Sequence, residues 1–451
     1  MFLGRDTEQT YLENFYHKRG SHLVVLYGQK NIGKTALIQE FTKGKDCLYF
    51  MAREVSEQEQ QRVMKREFLE QKKVSENCEE SFESLFFQYI ETASSEKKIL
   101  IVEEFQNIVR MGNGFMKAIQ KILNTNVLCI LSSSSVSWVE NSMIQKLGNA
   151  AHDISGFLKV RELPFQDLVH NFPKFTKEQC VQAYAILGGV PGLWQYFSDD
   201  LSIEENICNS ILKKGCYLHD IGIQYLVKEL REVNVYATIL SALAEGEWKL
   251  NELYARTGFS RAKISVYLKN LMELEIVEKV FSINTPDNEH VQKGMYRIQN
   301  HMVQFWFRFI YHNLSFTEKL SAQEFYRQFI FPYLSEYCEE FFGKICREYI
   351  AVWSQDGKLP VTCEKTGFWI GKAGTIDVVA KSRTGESIVG LCNWKIPVMR
   401  YEDYEWMLFC AQKAGLMPSH IFLFSIGTFD EKISLEAKVK QNIQLIDLSM
   451  L

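Results

Sequence analysis

The first third of the chain alternates short, unbroken apolar runs with longer amphipathic stretches. His22 to Tyr27 (HLVVLY), Lys98 to Glu103 (KILIVE) and Asn126 to Ser132 (NVLCILS) are such runs. Their brevity and continuity predict strands buried on both faces, as in a parallel sheet. Between them, stretches such as Ser56 to Lys73 carry apolar residues at helical spacing. This alternation predicts an α/β fold with helices on both faces of a parallel sheet.

From about Pro164 the strand-like runs stop. Phe165 to Leu230 reads as helical, interrupted by Gly188-Gly189-Val190-Pro191-Gly192. A smaller unit follows, with helices over Val235 to Ala244, over Leu250 to Thr257, and from Arg261 onward. Gly258-Phe259-Ser260 makes the turn before the third helix, and Ile264, Leu268 and Leu271 give that helix one apolar face. Strand-like Ile276 to Ile283 and Met295 to Ile298 come next, joined by a polar loop with Pro286, Asp287, Asn288 and Gly294. Three helices and a hairpin predict a winged helix. The remainder is helical over Ala322 to Val352. It then shows strand pieces at Thr375 to Ala380, Ser387 to Asn393 and His420 to Phe424, with a helix at Tyr404 to Ala414. The expected organisation is an α/β domain over 1–163, a helical segment over 164–230, a winged helix over 231–300 and a second α/β domain over 301–451.

Composition adds limits. The 451 residues suit two to four domains, and 46% apolar with 24% charged residues is ordinary for a globular chain. A net charge of −4 gives no overall pull toward nucleic acid or anionic membrane, so any such contact needs a local basic face. The 11 cysteines form no C-x-x-C pair, which favours reduced thiols over zinc or disulfides. The N-terminus lacks a basic stretch followed by an apolar one, and no apolar run reaches the ~18–20 residues of a membrane span. The expectation is a cytoplasmic protein with no membrane partner.

The chemistry concentrates at Gly28-Gln29-Lys30-Asn31-Ile32-Gly33-Lys34-Thr35, which satisfies G-x-x-x-x-G-K-[ST]. It follows a strand and opens a helix at Ala36, the context this motif requires. The loop amides and the helix N-terminus would cradle phosphates of ATP or ADP. Lys34 would reach the β- and γ-phosphates, and Thr35 would ligate Mg²⁺. The apolar strand Ile99-Leu100-Ile101-Val102 ends in Glu103-Glu104. The first acid would hold Mg²⁺ and the second would polarise the attacking water. Glu103 stands where Asp is usual, and its extra methylene predicts slow turnover with binding retained. Ser132 to Ser135 end the next strand, and Ser132 is the expected γ-phosphate sensor. Arg161, in Lys159-Val160-Arg161-Glu162-Leu163-Pro164 just before the helical segment, is the candidate arginine finger.

The arrangement resembles a known family. Phe2-Leu3-Gly4-Arg5-Asp6 is similar to the N-terminal box of STAND-type P-loop ATPases, which are AAA-like. With the P-loop, Ile101-Val102-Glu103-Glu104, the serine-rich strand end and Leu187-Gly188-Gly189-Val190-Pro191 in order, the chain resembles the archaeal-type ATPase family, also found in bacteria. The resemblance implies a helical lid and a winged helix after the P-loop domain. It implies that Pro191 contacts base or ribose and that Arg5 lies near the adenine edge. Tyr296 to Asn300 and Phe305-Trp306-Phe307-Arg308-Phe309 resemble the start of a C-terminal domain of unknown function, itself similar to the PD-(D/E)XK nuclease fold. That fold's signature appears as Ile376-Asp377 and as Leu391-Cys392-Asn393-Trp394, with Leu391 at the acid position and Asn393 at the lysine position. Leucine cannot ligate Mg²⁺. Lys395, two residues on, shares the face of Asn393, and Glu348 is a distant spare carboxylate. An inactive nuclease-like domain is expected.

DNA is a possible partner through the third helix of the winged helix, where Ser260, Arg261, Lys263 and Lys269 lie, with Lys279 and Lys293 at the wing. Glu273, Glu275, Glu278 and Glu289 dilute that charge. Three readings follow: an ATP-driven switch acting on a protein partner or by self-association, an ATP-regulated DNA-binding or DNA-processing protein, and an adaptor with a structural nucleotide.

Overall fold

The computed structural model describes residues 3–92, 96–285 and 294–451. Phe2, and the wing residues Pro286, Asp287, Asn288, Glu289 and Lys293, lie outside these. The chain forms two compact units. The first is residues 1–163 with 190–192, and the second is residues 164–189 with 193–451.

The first unit is built on five parallel strands: β1 (His22–Tyr27), β2 (Cys47–Met51), β3 (Lys98–Glu103), β4 (Val127–Ser133) and β5 (Ile154–Lys159), in the order β2-β3-β4-β1-β5. The three central strands are those that read as apolar runs, and β3 and β4 are buried along their whole length. The edges read differently because each faces neighbours on one side only. β2 alternates, with Leu48 and Phe50 buried while Tyr49 and Met51 face the other way. β5 contains Gly156, where a Cβ would come within 2.3 Å of Tyr11 Oη on helix α1 (Asp6–His17). Helices flank the sheet. Glu57–Glu70 starts at Ser56, whose Oγ accepts from the Glu59 amide, and it buries Val63, Met64 and Phe68 on one stripe. Phe115 packs edge-on against both Phe82 and Phe86, which stack on each other, over the same core. Each such ring contributes about 1.5–3 kcal/mol of burial.

The second unit opens with helices. Lys177–Leu187 begins at a capping box between Thr176 and Gln179. Helices Val233–Ala244, Leu250–Thr257 and Arg261–Glu273, with the antiparallel pair β6 (Val277–Val280) and β7 (Met295–Ile298), form the winged helix. Ser260 caps the third helix by accepting from the Lys263 amide. The strand expected over Ile276 to Ile283 stops at Val280 for a physical reason. Ile283 turns instead to the neighbouring sheet, donating its amide to Phe368 O at 2.8 Å, and it joins that sheet's core.

That second sheet has the order β14-β12-β10-β9-β8: β8 (Lys365–Gly371), β9 (Gly374–Lys381), β10 (Ser387–Asn393), β12 (Pro418–Ser425) and β14 (Ile443–Asp447). β8, β9 and β10 run antiparallel, whereas β10, β12 and β14 run parallel. β11 (Val398–Met399) and β13 (Thr428–Phe429) pair separately. Helix Phe331–Gln355 precedes the sheet, and Tyr401–Lys413 packs Tyr404, Met407 and Cys410 into its core. No helix among the described residues is long and apolar enough to cross a membrane.

Candidate functional site

The loop from Gly28 to Gly33 leaves β1 at the carboxyl edge of the first sheet, where ligands bind in open α/β folds. Gly28 is required by closeness: β5's continuation hydrogen-bonds β1 through Val160 N and Tyr27 O at 2.7 Å, and a Cβ on Gly28 would meet Val160 O at 2.4 Å. Asn31 (φ 67°) and Gly33 (φ 98°) adopt the left-handed conformation that turns the chain into helix α2 (Lys34–Phe41). Lys34 is 7% exposed and donates from Nζ to Gly28 O at 2.8 Å and Gln29 O at 3.0 Å. Burial holds its pKa below the ordinary lysine value, opposed by Glu104 and Glu103. A buried ammonium held by two backbone carbonyls suits an arriving anion. Ile32 is buried, while Lys30 and Ala36 are exposed.

Two braces fix the loop from behind. The resemblance implied an adenine-edge position for Arg5. Here its guanidinium is buried and donates to Ile32 O and to Glu8 Oε1, both at 2.9 Å. Gly192 donates its amide to Asn31 O at 2.9 Å, and a side chain there would clash with that oxygen at 2.6 Å. Pro191 lies against Gly33, within 3.4 Å of where its Cβ would stand. The chain thus leaves the first unit at Leu163, returns for Val190 to Gly192, and leaves again.

The two acids take different roles. Glu103 ends β3 and is 3% exposed. Its Oε2 accepts from Thr35 Oγ1 at 2.9 Å and from Tyr49 Oη at 3.0 Å. Its Oε1 is buried with no hydrogen-bond partner among the described residues. Burial raises its pKa, and the bonds from Thr35 and Tyr49 and the charge of Lys34 work against that. A carboxylate with one orphaned oxygen beside a threonine hydroxyl is an incomplete oxygen donor set, of the kind a hard divalent cation and its waters complete. Glu104 follows at φ 51°, a strained conformation for a non-glycine residue. Its Oε2 accepts from Gln106 Nε2 at 2.6 Å, Ser134 Oγ at 2.7 Å and Ser134 N at 3.2 Å.

Thr35, Lys34, Glu103 and Glu104 therefore come together at one end of the sheet. Ser132 stands opposite Glu103 in the β3–β4 register, is 1% exposed, and its Oγ has no hydrogen-bond partner among the described residues. Ser134, two positions on, is the serine that meets Glu104. Arg161 is exposed, and among the described residues no hydrogen bond or ion pair ties it to these groups. Tyr49 was missed because β2 was not recognised. The run Cys47-Leu48-Tyr49-Phe50-Met51 was the available signal.

In the second sheet, Asp377 Oδ2 accepts from Cys392 N at 2.9 Å, and burial raises its pKa. The side chain of Asn393 is consumed by Ile396 O at 2.8 Å and Ser425 Oγ at 3.0 Å. Lys395 pairs with Glu339 at 2.5 Å. Glu348 accepts from Tyr184 Oη at 2.7 Å and Phe165 N at 3.2 Å. No group of three or more metal-ligating side chains occurs among the described residues.

In the winged helix, Arg261 stacks on Tyr254 at 4.2 Å and Lys263 lies over Phe259 at 4.9 Å. Lys269 is exposed and Lys279 lies over Tyr296 at 5.3 Å.

A parallel sheet with this loop, lysine and paired acids defines a P-loop ATPase fold. More particularly, residues 2–197 match the family described as an ATPase domain predominantly from Archaea. Residues 237–279 match bacterial regulatory proteins of the arsR family, and residues 306–403 match archaeal and bacterial proteins of unknown function. The chain is thus an archaeal-type ATPase domain joined to a winged helix and that C-terminal domain. An uncharacterized protein of Methanocaldococcus jannaschii is 28% identical over 393 residues, covering 84% of each chain. An uncharacterized ATP-binding protein of the same organism is 38% identical over 45 residues, 10% of this chain and 76% of that one. Among solved structures, the Walker-type ATPase of Pyrococcus abyssi aligns with a TM-score of 0.50 at 18% identity, covering 68% of this chain and 96% of that one, and so shares the fold.

Proposed function

We propose that this protein binds ATP with Mg²⁺ at the loop Gly28 to Thr35 and hydrolyses it slowly, as a nucleotide-dependent switch. The observation that carries this is the Thr35–Glu103 hydrogen bond of 2.9 Å with Glu103 Oε1 left unpartnered in the interior. Lys34 and the loop amides would take the phosphates. Thr35 and Glu103 would hold the cation, which would supply positive charge to offset that of the phosphates. Glu104 would accept a proton from the attacking water. The matched M. jannaschii protein described as ATP-binding supports the nucleotide.

The switch rests on chain connectivity. Gly192 bonds Asn31 of the phosphate loop, and Gly188 and Trp194, on either side of that return, belong to the second unit. A change at Asn31 on nucleotide binding is then felt by the helical segment 164–230, the winged helix 231–300 and the C-terminal domain 301–451. The order helix, β8-β9-β10, helix, β12 in that last domain fits a nuclease-like fold whose acid and lysine positions hold Leu391 and Asn393. Steady phosphate release from ATP, lost in Glu104→Gln with binding retained, is the test. No release from either protein would leave an adaptor with a structural nucleotide.

A second reading, DNA binding gated by nucleotide, is favoured by Arg261 and Lys263 on their aromatic platforms. The segment after β6 is already engaged by β8, so this reading assigns the contact to the helix Arg261–Glu273. Duplex affinity that falls steeply with salt and changes with nucleotide would support it.

A further inference from the structure

We infer that Tyr49 is a positioning residue for the divalent cation, holding the Glu103 carboxylate by one oxygen and leaving the other for the cation's water shell. This rests on the nucleotide reading above and adds to it a residue outside the loop and the paired acids. β2 and β3 run in parallel register, with Tyr49 opposite Ile101 and Met51 opposite Glu103. Side chains two apart on a strand share a face, so Tyr49 and Glu103 are diagonal neighbours on one face of the sheet. The phenol closes that diagonal with a 3.0 Å bond to Glu103 Oε2. Thr35 bonds the same oxygen at 2.9 Å, so both donors load Oε2 and Oε1 has none.

The asymmetry has a reason in the length of the side chain. Glutamate has one more rotatable bond than aspartate and would sample several positions at the strand end. A donor fixed on the neighbouring strand removes that freedom. A phenol hydroxyl carries one O–H to donate, and here that donor is spent on Glu103 Oε2.

The test uses the full chain, Mn²⁺ as the probe, and an ADP complex read by electron paramagnetic resonance. Tyr49→Phe should weaken Mn²⁺ binding to that complex about tenfold, as expected for losing one hydrogen bond to a charged group. ADP affinity in EDTA should be unchanged. In a Glu103→Asp background the shorter acid no longer depends on the phenol, and Tyr49→Phe should then change Mn²⁺ affinity less than about twofold. Unchanged Mn²⁺ affinity in Tyr49→Phe overturns the inference. So does an equal loss in both backgrounds, which would mean that Tyr49 does not act through Glu103. Absence of ADP binding by the unaltered protein would instead sink the nucleotide reading itself.

Discussion

Both polar groups of Ser134 converge on one oxygen of Glu104: its hydroxyl lies 2.7 Å and its amide 3.2 Å from Oε2. With Gln106 also donating to Oε2, the carboxylate is anchored by that atom. In the hydrolysis proposed above, Oε1 would accept the proton from water and Ser134 would orient the base. Ser134→Ala should lower kcat for ATP about three- to tenfold with KM within about twofold, because small misplacements of a base are costly. Glu104→Gln should lower it at least about a hundredfold. Phosphate release under saturating ATP measures both, and a Ser134→Ala enzyme as fast as the unaltered one would remove Ser134 from the mechanism.

Arg5 is bonded to the phosphate loop, and we propose that it supports the loop. It is buried, and its guanidinium donates to Ile32 O and Glu8 Oε1. Arg5→Gln should therefore destabilise the protein by about 1–3 kcal/mol, the cost of stranding the buried Ile32 carbonyl and losing the ion pair with the half-buried Glu8. It should also weaken ATP and GTP binding by similar factors. Calorimetric melting and competition between the two nucleotides check this. Loss of discrimination between adenine and guanine, with stability intact, would restore the base-contact role.

The central strands, the loop and the paired acids were legible because each is local. β1, β3 and β4 carry unbroken apolar runs at Leu23 to Leu26, Ile99 to Val102 and Val127 to Leu131, and the loop's spacing is set by its own backbone. The order of helices and strands in the winged helix was legible for the same reason, from Ser260 and the Ile264-Leu268-Leu271 face. What stayed hidden depends on partners distant in sequence. β2 and β5 are edge strands with weaker patterns. Tyr49 meets Glu103 only through strand pairing, and Ser134 rather than Ser132 meets Glu104 because a strand end turns. The end of β6 is decided by Phe368, which recruits Ile283 to another sheet.

The second sheet should be inert toward nucleic acids. Asp377 is held by the Cys392 amide, Asn393 bonds Ile396 and Ser425, and Leu391 offers no oxygen to a cation. Lys395 and Glu348 already have partners in Glu339 and Tyr184. Purified protein with Mg²⁺ or Mn²⁺ should leave duplex DNA, single-stranded DNA and RNA intact on gels. Cleavage abolished by Asp377→Ala would show that an acid from elsewhere completes the site.

His301 should make the second unit acid-sensitive. Its Nδ1 lies 2.7 Å from Tyr184 O and its Nε2 lies 3.0 Å from Lys344 Nζ. An ammonium only donates, so Nε2 accepts and Nδ1 carries the proton to the carbonyl, which fixes a neutral ring. Burial and the Lys344 charge push its pKa well below the ordinary histidine value. The sign follows from proton counting. As pH falls through the ordinary histidine range, the unfolded chain takes up a proton that the folded one refuses. Stability is therefore full above that range and is lost as pH falls, by up to about 1.4 kcal/mol per pH unit. The ring also touches Tyr184 and Phe341, so opening the site to let a proton in disturbs the packing between helices Lys177–Leu187 and Phe331–Gln355. His301→Gln keeps one donor and one acceptor but does not titrate. It should be less stable than the unaltered protein at pH 7.5, and the gap should narrow steadily toward pH 5. Urea denaturation across that interval reads the gap directly. Curves that stay parallel would mean that His301 is not the group that couples this unit to pH.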